Sequence, residues 1–135
     1  MLDHLGFAVA DYPRSRAFYE RALAPLGIGV RMDVTREMSG DYEGCGFGPE
    51  GGRPQFWVGT GSGSGRGGAG HGMHIAFSAK TRAEVDAFHA AALAAGGTDN
   101  GAPGLRPHYH PHYYGAFILD PEGNNIEAVC HQPEN

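Results

Sequence analysis

Apolar and polar residues alternate at two places in the chain. In "LDHLGFAVA" (2–10) Leu5, Phe7 and Val9 point one way while His4, Gly6 and Ala8 point the other. In "GMHIAFSA" (72–79) Met73, Ile75 and Phe77 oppose His74, Ala76 and Ser78. Alternation of this kind predicts a half-buried strand at each place, with the apolar set turned to the core. The period then lengthens. After Asp11, a candidate N-cap, and Pro13 in the first turn, Phe18, Ala22 and Leu26 recur at helical spacing. In the second stretch Thr81 is the candidate cap, Glu84 completes a capping box, and Val85, Phe88, Ala92 and Leu93 form the apolar stripe that Gly96-Gly97 closes. Each stretch ends in strands, most clearly in "YYGAFILDPEGNNIEAVC" (113–130), where "DPEGN" supplies the turn between two apolar runs.

The two stretches are copies of one module at an offset of 70 residues: His4 falls on His74, Phe7 on Phe77, Phe18 on Phe88 and Gly27 on Gly97. The same offset carries Phe47 onto Phe117, Phe56 onto Ile126 and Trp57 onto Glu127. The pattern predicts an α+β fold of two βαβββ modules in one domain, module 1 over about 1–58 and module 2 over about 73–131. The Gly/Ser-rich stretch 59–72 reads as a flexible connector. It is no phosphate loop, because no Gly-Lys-Ser/Thr follows it.

Composition narrows the partners. The 135 residues carry a formal charge of -5, with a pI near 5.8 and no basic cluster, which argues against nucleic acid. Cys45 and Cys130 have neither metal-type spacing nor disulfide-scaffold density, and read as buried free thiols. No run approaches the roughly 18 apolar residues of a membrane span, so a cytoplasmic protein is expected.

With the apolar sets packed under the helices, His4 and His74 lie on the opposite, open faces of two equivalent strands. In the last strand the alternation places Glu127 on the open face as well. An approximate two-fold between the modules is expected to bring the two first strands, and with them these three side chains, together. Two imidazoles and one carboxylate suit a borderline divalent metal such as Fe(II), Mn(II), Zn(II), Ni(II) or Co(II), with positions left for water or substrate. Trp57, at the symmetric fourth position, cannot ligate and is expected to wall the substrate pocket.

These residues resemble the vicinal oxygen chelate superfamily, which includes glyoxalase I, extradiol dioxygenases, fosfomycin-resistance thioltransferases and bleomycin-resistance proteins. The resemblance rests on "DHLGFAVADYPRSRAFYERAL", "MHIAF" and "YGAFILDPEGNNIEAV". It implies paired βαβββ modules forming a cupped mixed sheet, a divalent metal on His4, His74 and Glu127, and a homodimer in which a site is sometimes built from both chains. It also implies a small substrate held to the metal through oxygen. The expected chemistry is that of a lyase, isomerase or thioltransferase. Extradiol ring cleavage and metal-free drug binding are the alternatives.

The stretch "RPHYHPHYYG" (106–115) is the candidate source of acid–base groups. Read as extended, it puts His108, His110, His112 and Tyr114 on one side and Tyr109 and Tyr113 on the other. His110, His112 and Tyr114 are the catalytic candidates, and Tyr113 and Asn125 join Trp57 in the substrate pocket.

Overall fold

The computed structural model describes residues 1–60 and 73–134. Most of the expected 59–72 connector lies outside the described residues. Module 1 runs β1 (Leu5–Ala8), α1 (Tyr12–Leu23), β2 (Ile28–Val34), a short α2 (Arg36–Ser39), β3 (Gly44–Pro49) and β4 (Phe56–Gly59). Module 2 runs β5 (His74–Ser78), α3 (Arg82–Ala94), β6 (Thr98–Leu105), β7 (Tyr114–Leu119) and β8 (Asn125–Cys130). Each module is a four-stranded mixed sheet under one long helix, in the orders β1-β4-β3-β2 and β5-β8-β7-β6. This is the α+β fold of two βαβββ modules that the repeat predicts.

The helix starts follow their capping chemistry. Asp11 accepts from the amide of Arg14 at 3.1 Å, and Thr81 accepts from that of Glu84 at 3.1 Å. The returning Glu84 carboxylate reaches Lys80 N at 2.6 Å, one residue before the cap. Gly96, at φ 108, ends α3 in a backbone conformation that L side chains rarely adopt. Phe18, Ala22 and Leu26, with Val85, Phe88 and Ala92, are buried as expected, but Leu93 is an exposed residue on the outer side of α3.

α1 packs on α3, and Phe56 meets Phe77 edge-on at 5.2 Å, so the modules share one core. A polar clasp adds to this junction. The Glu122 carboxylate, in the β7–β8 turn, accepts from Ala10 N and Asp11 N at 2.9 and 2.8 Å, while buried Asp120 accepts from the phenol of Tyr19 at 2.5 Å. "DPEGN" is therefore more than a turn: it caps the first helix of the other module. The sheets exchange no strand ladder among the described residues, and β1 and β5 are each an edge strand. The expected meeting of the two first strands does not occur within the chain, because helix packing, not strand pairing, joins the modules. Among the described residues no helix is long and apolar enough to cross a membrane.

The elements of the two modules match at an offset of 70, yet their registers do not. β3 pairs with β4 through Gly46↔Trp57 and Phe47↔Phe56, whereas β7 pairs with β8 through Phe117↔Glu127 and Ile118↔Ile126. Relative to its neighbour, β7 has slipped by one residue, and a one-residue slip turns a strand's side chains to the other face. Phe47 is fully buried in the core, and its structural counterpart is the equally buried Ile118. Phe117 lies on the open face instead. An offset of 71 is thus the correct one here, setting Tyr42 on Tyr113, Gly44 on Gly115 and Gly46 on Phe117. β6 carries two register shifts where β2 carries one.

Candidate metal centre

β5 and β8 run parallel, with His74 beside Asn125 and Ala76 beside Glu127. This register places the imidazole of His74 over the end of the Glu127 side chain. Nδ1 of His74 lies 3.2 Å from the Asn125 carbonyl oxygen, and Nε2 lies 3.1 Å from Oε1 of Glu127. A carbonyl oxygen only accepts, so Nδ1 carries a ring proton, and in the neutral form of the imidazole Nε2 then presents a lone pair. That lone pair faces a carboxylate oxygen, itself an acceptor. Two acceptors this close require a cation between them, either a proton or a metal ion.

The spacing suits a metal. Two donors bound to one ion at about 2.1 Å and at angles near 90–109° stand roughly 3.0–3.4 Å apart. A ligating histidine also commonly gives its other ring N–H to a backbone carbonyl, as His74 does. Glu127 is only 2 % exposed, and its second oxygen, Oε2, accepts a short hydrogen bond from the phenol of Tyr113. Burial, and the carboxylate beside it, push the Tyr113 phenol well above its ordinary range and keep it a donor. Gly115 makes the room: a methyl group there would lie 3.2 Å from both Glu127 Oε2 and Tyr113 Cε1. Phe117 stacks against His74, with ring centroids 6.2 Å apart and planes 25° from parallel.

The pair opens into a cavity of about 680 Å³ on the uncovered face of the second sheet, bounded by Phe117, Asn125 and the loop between β6 and β7. That loop is not extended. Tyr109 N bonds Arg106 O at 2.9 Å, Tyr113 N bonds His110 O at 3.2 Å, and Arg106 N bonds Tyr113 O at 2.7 Å, so two successive turns close it. Alternation therefore fails as a guide to its faces. His108, Tyr109, His110 and Tyr113 all border the cavity.

His112 and Tyr114 do not border it. His112 is exposed and gives its backbone N–H to His110 Nδ1 at 3.1 Å. Tyr114 is turned to the helix side, where it donates to Asp86 at 2.7 Å under the guanidinium of Arg82, and this bond pushes its phenol up to about 12. Trp57 belongs to the other sheet, where its indole lies against Gly46. A residue that sequence reading passed over, His131, bonds His110 through Nδ1 at 2.6 Å.

His4 forms no three-residue group with His74 and Glu127 among the described residues. Among the described residues no three His, Cys, Asp or Glu side chains converge on one point. Its preparation is nevertheless parallel. His4 is exposed, and its Nδ1 lies 2.6 Å from Asp3 Oδ1, whose other oxygen takes Arg53 at 2.6 Å. The His4 hydrogen bond, with Arg53 behind it, holds the Asp3 carboxyl below its usual range. A carboxylate on Nδ1 leaves Nε2 as the ring nitrogen of His4 that a metal would take.

Residues 1–128 match the profile of the Glyoxalase/Bleomycin resistance protein/Dioxygenase superfamily. The chain belongs to that superfamily. Among solved structures, this member of it resembles a glyoxalase/bleomycin resistance protein from Albidiferax ferrireducens T118, at 29 % identity over 98 % of this chain and 99 % of that one, with a TM-score of 0.74. The superfamily fold is shared with lactoylglutathione lyase from Agrobacterium tumefaciens, at 19 % identity, 96 % and 92 % coverage and a TM-score of 0.64. It is shared too with glyoxalase I from Zea mays, at 21 % identity over 99 % of this chain but 45 % of that one, with a TM-score of 0.67. Among curated proteins none matches.

Proposed function

We propose that this superfamily member is a metal-dependent enzyme, with a divalent transition metal held by His74 and Glu127 of one chain and His4 of a second copy. The observation that carries the reading is the approach of His74 Nε2 to Glu127 Oε1 at 3.1 Å while Nδ1 of the same ring lies 3.2 Å from a backbone carbonyl oxygen. His4 is oriented through Nδ1 by the Asp3 carboxylate, as His74 is by a backbone carbonyl, and among the described residues it joins no group of three metal-ligating side chains, which supports a site divided between two chains. The unpaired edges of β1 and β5 offer a surface for that association.

A bound metal would act as a Lewis acid towards a small oxygen-bearing substrate in lyase, isomerase or thiol-transfer chemistry. Tyr113 holds the Glu127 carboxylate in place. His110, at the cavity edge beside Tyr113, is the side chain best placed to take up or release a proton from bound substrate. Asn125 fixes the tautomer of His74 through its carbonyl oxygen.

The aromatic border of the cavity, Tyr109, Tyr113 and Phe117, favours ring cleavage as the second reading, and iron as the bound metal would select it. A metal-free binding protein is the reading left if no metal is taken up.

The test is the metal content of purified, untagged protein and of two variants, His4→Ala and Glu127→Ala, alone and mixed after joint refolding. Each variant alone is expected to be empty. The mixture should regain about a quarter of the wild-type content, since half the dimers are mixed and each of these has one intact site. Wild-type content in either variant alone would sink the ligand assignment, and a mixture that regains nothing would place the whole site in one chain.

A further inference from the structure

We propose that Tyr113 is a positioning residue that limits Glu127 to one metal-facing oxygen and so keeps a coordination position free for substrate. The inference rests on the metal reading above. A carboxylate can bind a cation through one oxygen or both, and the choice decides how many positions remain for other ligands. Here the two oxygens are unequal. Oε1 faces Nε2 of His74, whereas Oε2 is taken by the Tyr113 hydroxyl.

The phenol is held from several sides. Tyr109 meets its ring edge-on at 4.8 Å, His110 at 5.4 Å and His131 at 5.3 Å, and the loop's closing bond fixes the backbone at Tyr113. His110 and His131 are themselves joined at 2.6 Å. Gly115 then leaves the space in which Oε2 and the ring meet. The first module shows what the tyrosine does without an acid. Tyr42, its counterpart in the slipped register, lies with its hydroxyl end over Gly44 and Gly59, and among the described residues no hydrogen bond joins that hydroxyl to a carboxylate.

Removing the hydroxyl while keeping the ring frees Oε2 to turn towards the metal. The experiment loads wild type, Tyr113→Phe and Glu127→Gln with Co(II), records visible absorption, and titrates each with 4-nitrocatechol, a two-oxygen chelating probe. Apo thermal unfolding of all three shows whether each is folded. Tyr113→Phe is expected to hold Co(II) at least as tightly as wild type, to show weaker visible bands as coordination number rises, and to bind the probe about tenfold less tightly. An unchanged spectrum and probe affinity in a folded Tyr113→Phe would overturn the inference and leave Tyr113 a packing residue. Loss of Co(II) from that variant would also overturn it, because the hydroxyl would then build the site instead of limiting it. If wild type binds no Co(II), or Glu127→Gln binds it equally well, the metal reading itself fails.

Discussion

The two modules spend the same architecture differently on their open faces. In the first, Trp57 at the centre of β4 lies over a platform of small residues: a methyl group at Gly6 would come within 2.7 Å of its Cβ, and one at Gly46 within 2.7 Å of its Cε2. In the second, Glu127 occupies the place of Trp57, Ala76 that of Gly6 and Phe117 that of Gly46. The first sheet thus covers itself with its own indole. The second turns an aromatic ring and an acid outward and leaves a cavity above them. One exchange of residue type and one slip of register convert a closed face into a site. The first strands differ less, since each presents a histidine whose Nδ1 has an oxygen partner, the Asp3 carboxylate at His4 and the Asn125 carbonyl at His74.

The largest effect expected from breaking this contrast comes from Glu127→Gln. The amide NH2 can donate to Nε2 of His74 while the amide oxygen still accepts from Tyr113, so every polar atom of the pair has a partner. Metal affinity should fall by more than about 100-fold, since a ligand is lost outright and not merely a residue behind it. The metal-free protein should gain about 1 kcal/mol, because the acceptor–acceptor opposition is relieved. Calorimetric unfolding of the chelated protein, with and without the substitution, reads both. A metal-free variant less stable than wild type would mean that a proton already satisfies the pair.

Trp57→Glu sharpens the contrast from the other side. Removal of a half-buried indole from over Gly6 and Gly46 should cost about 2 kcal/mol of folding stability. In the shared site a carboxylate at this position would stand beside His4 as Glu127 stands beside His74, and metal affinity should rise about tenfold or more. A fall in affinity would show that Trp57 of the second copy does not face the cavity.

How much of this was legible in the sequence depends on the signal each feature left. The exposure of β5 follows period-two alternation, with His74 outward and Ile75 buried, whereas β8 is buried almost throughout, and both His74 and Glu127 border the cavity. The helix caps were legible because Asp11 and Thr81 act within three residues of themselves. Phe117 is the match of Phe47 at the offset of 70, yet Phe47 lies in the core and Phe117 on the open face. Identity at a fixed offset carries no information on register, although Tyr42-x-Gly44 against Tyr113-x-Gly115 recorded the slip at an offset of 71. The stretch 106–115, read as extended, instead closes in turns around Pro107 and Pro111 that bring His110 to the cavity and leave His112 outside. His131 left no local signal, since its partner lies 21 residues away across the sheet. The separation of His4 from His74 was the least legible feature, because it depends on how the modules pack and not on any residue within them.

The finest test of the comparison is a single methyl group. Gly44 and Gly115 are counterparts in the slipped register, and each lies under a tyrosine, but only at Gly115 does an acid share the space. Gly115→Ala places a Cβ 3.2 Å from Glu127 Oε2 and from Tyr113 Cε1, a few tenths of an ångström tighter than ordinary contact. The ring is boxed by three others and cannot move far, so the carboxylate must give. Folding stability should change by less than about 1 kcal/mol, the low end of the cost of overpacking. Metal affinity should fall by about two- to fivefold, a fraction of what loss of a supporting residue costs. Gly44→Ala crowds only the Tyr42 phenol in the first module. It should lower the unfolding temperature and leave metal affinity where it was; an equal loss of metal in both variants would mean that the two faces are coupled and that the second site is not built by its own sheet alone.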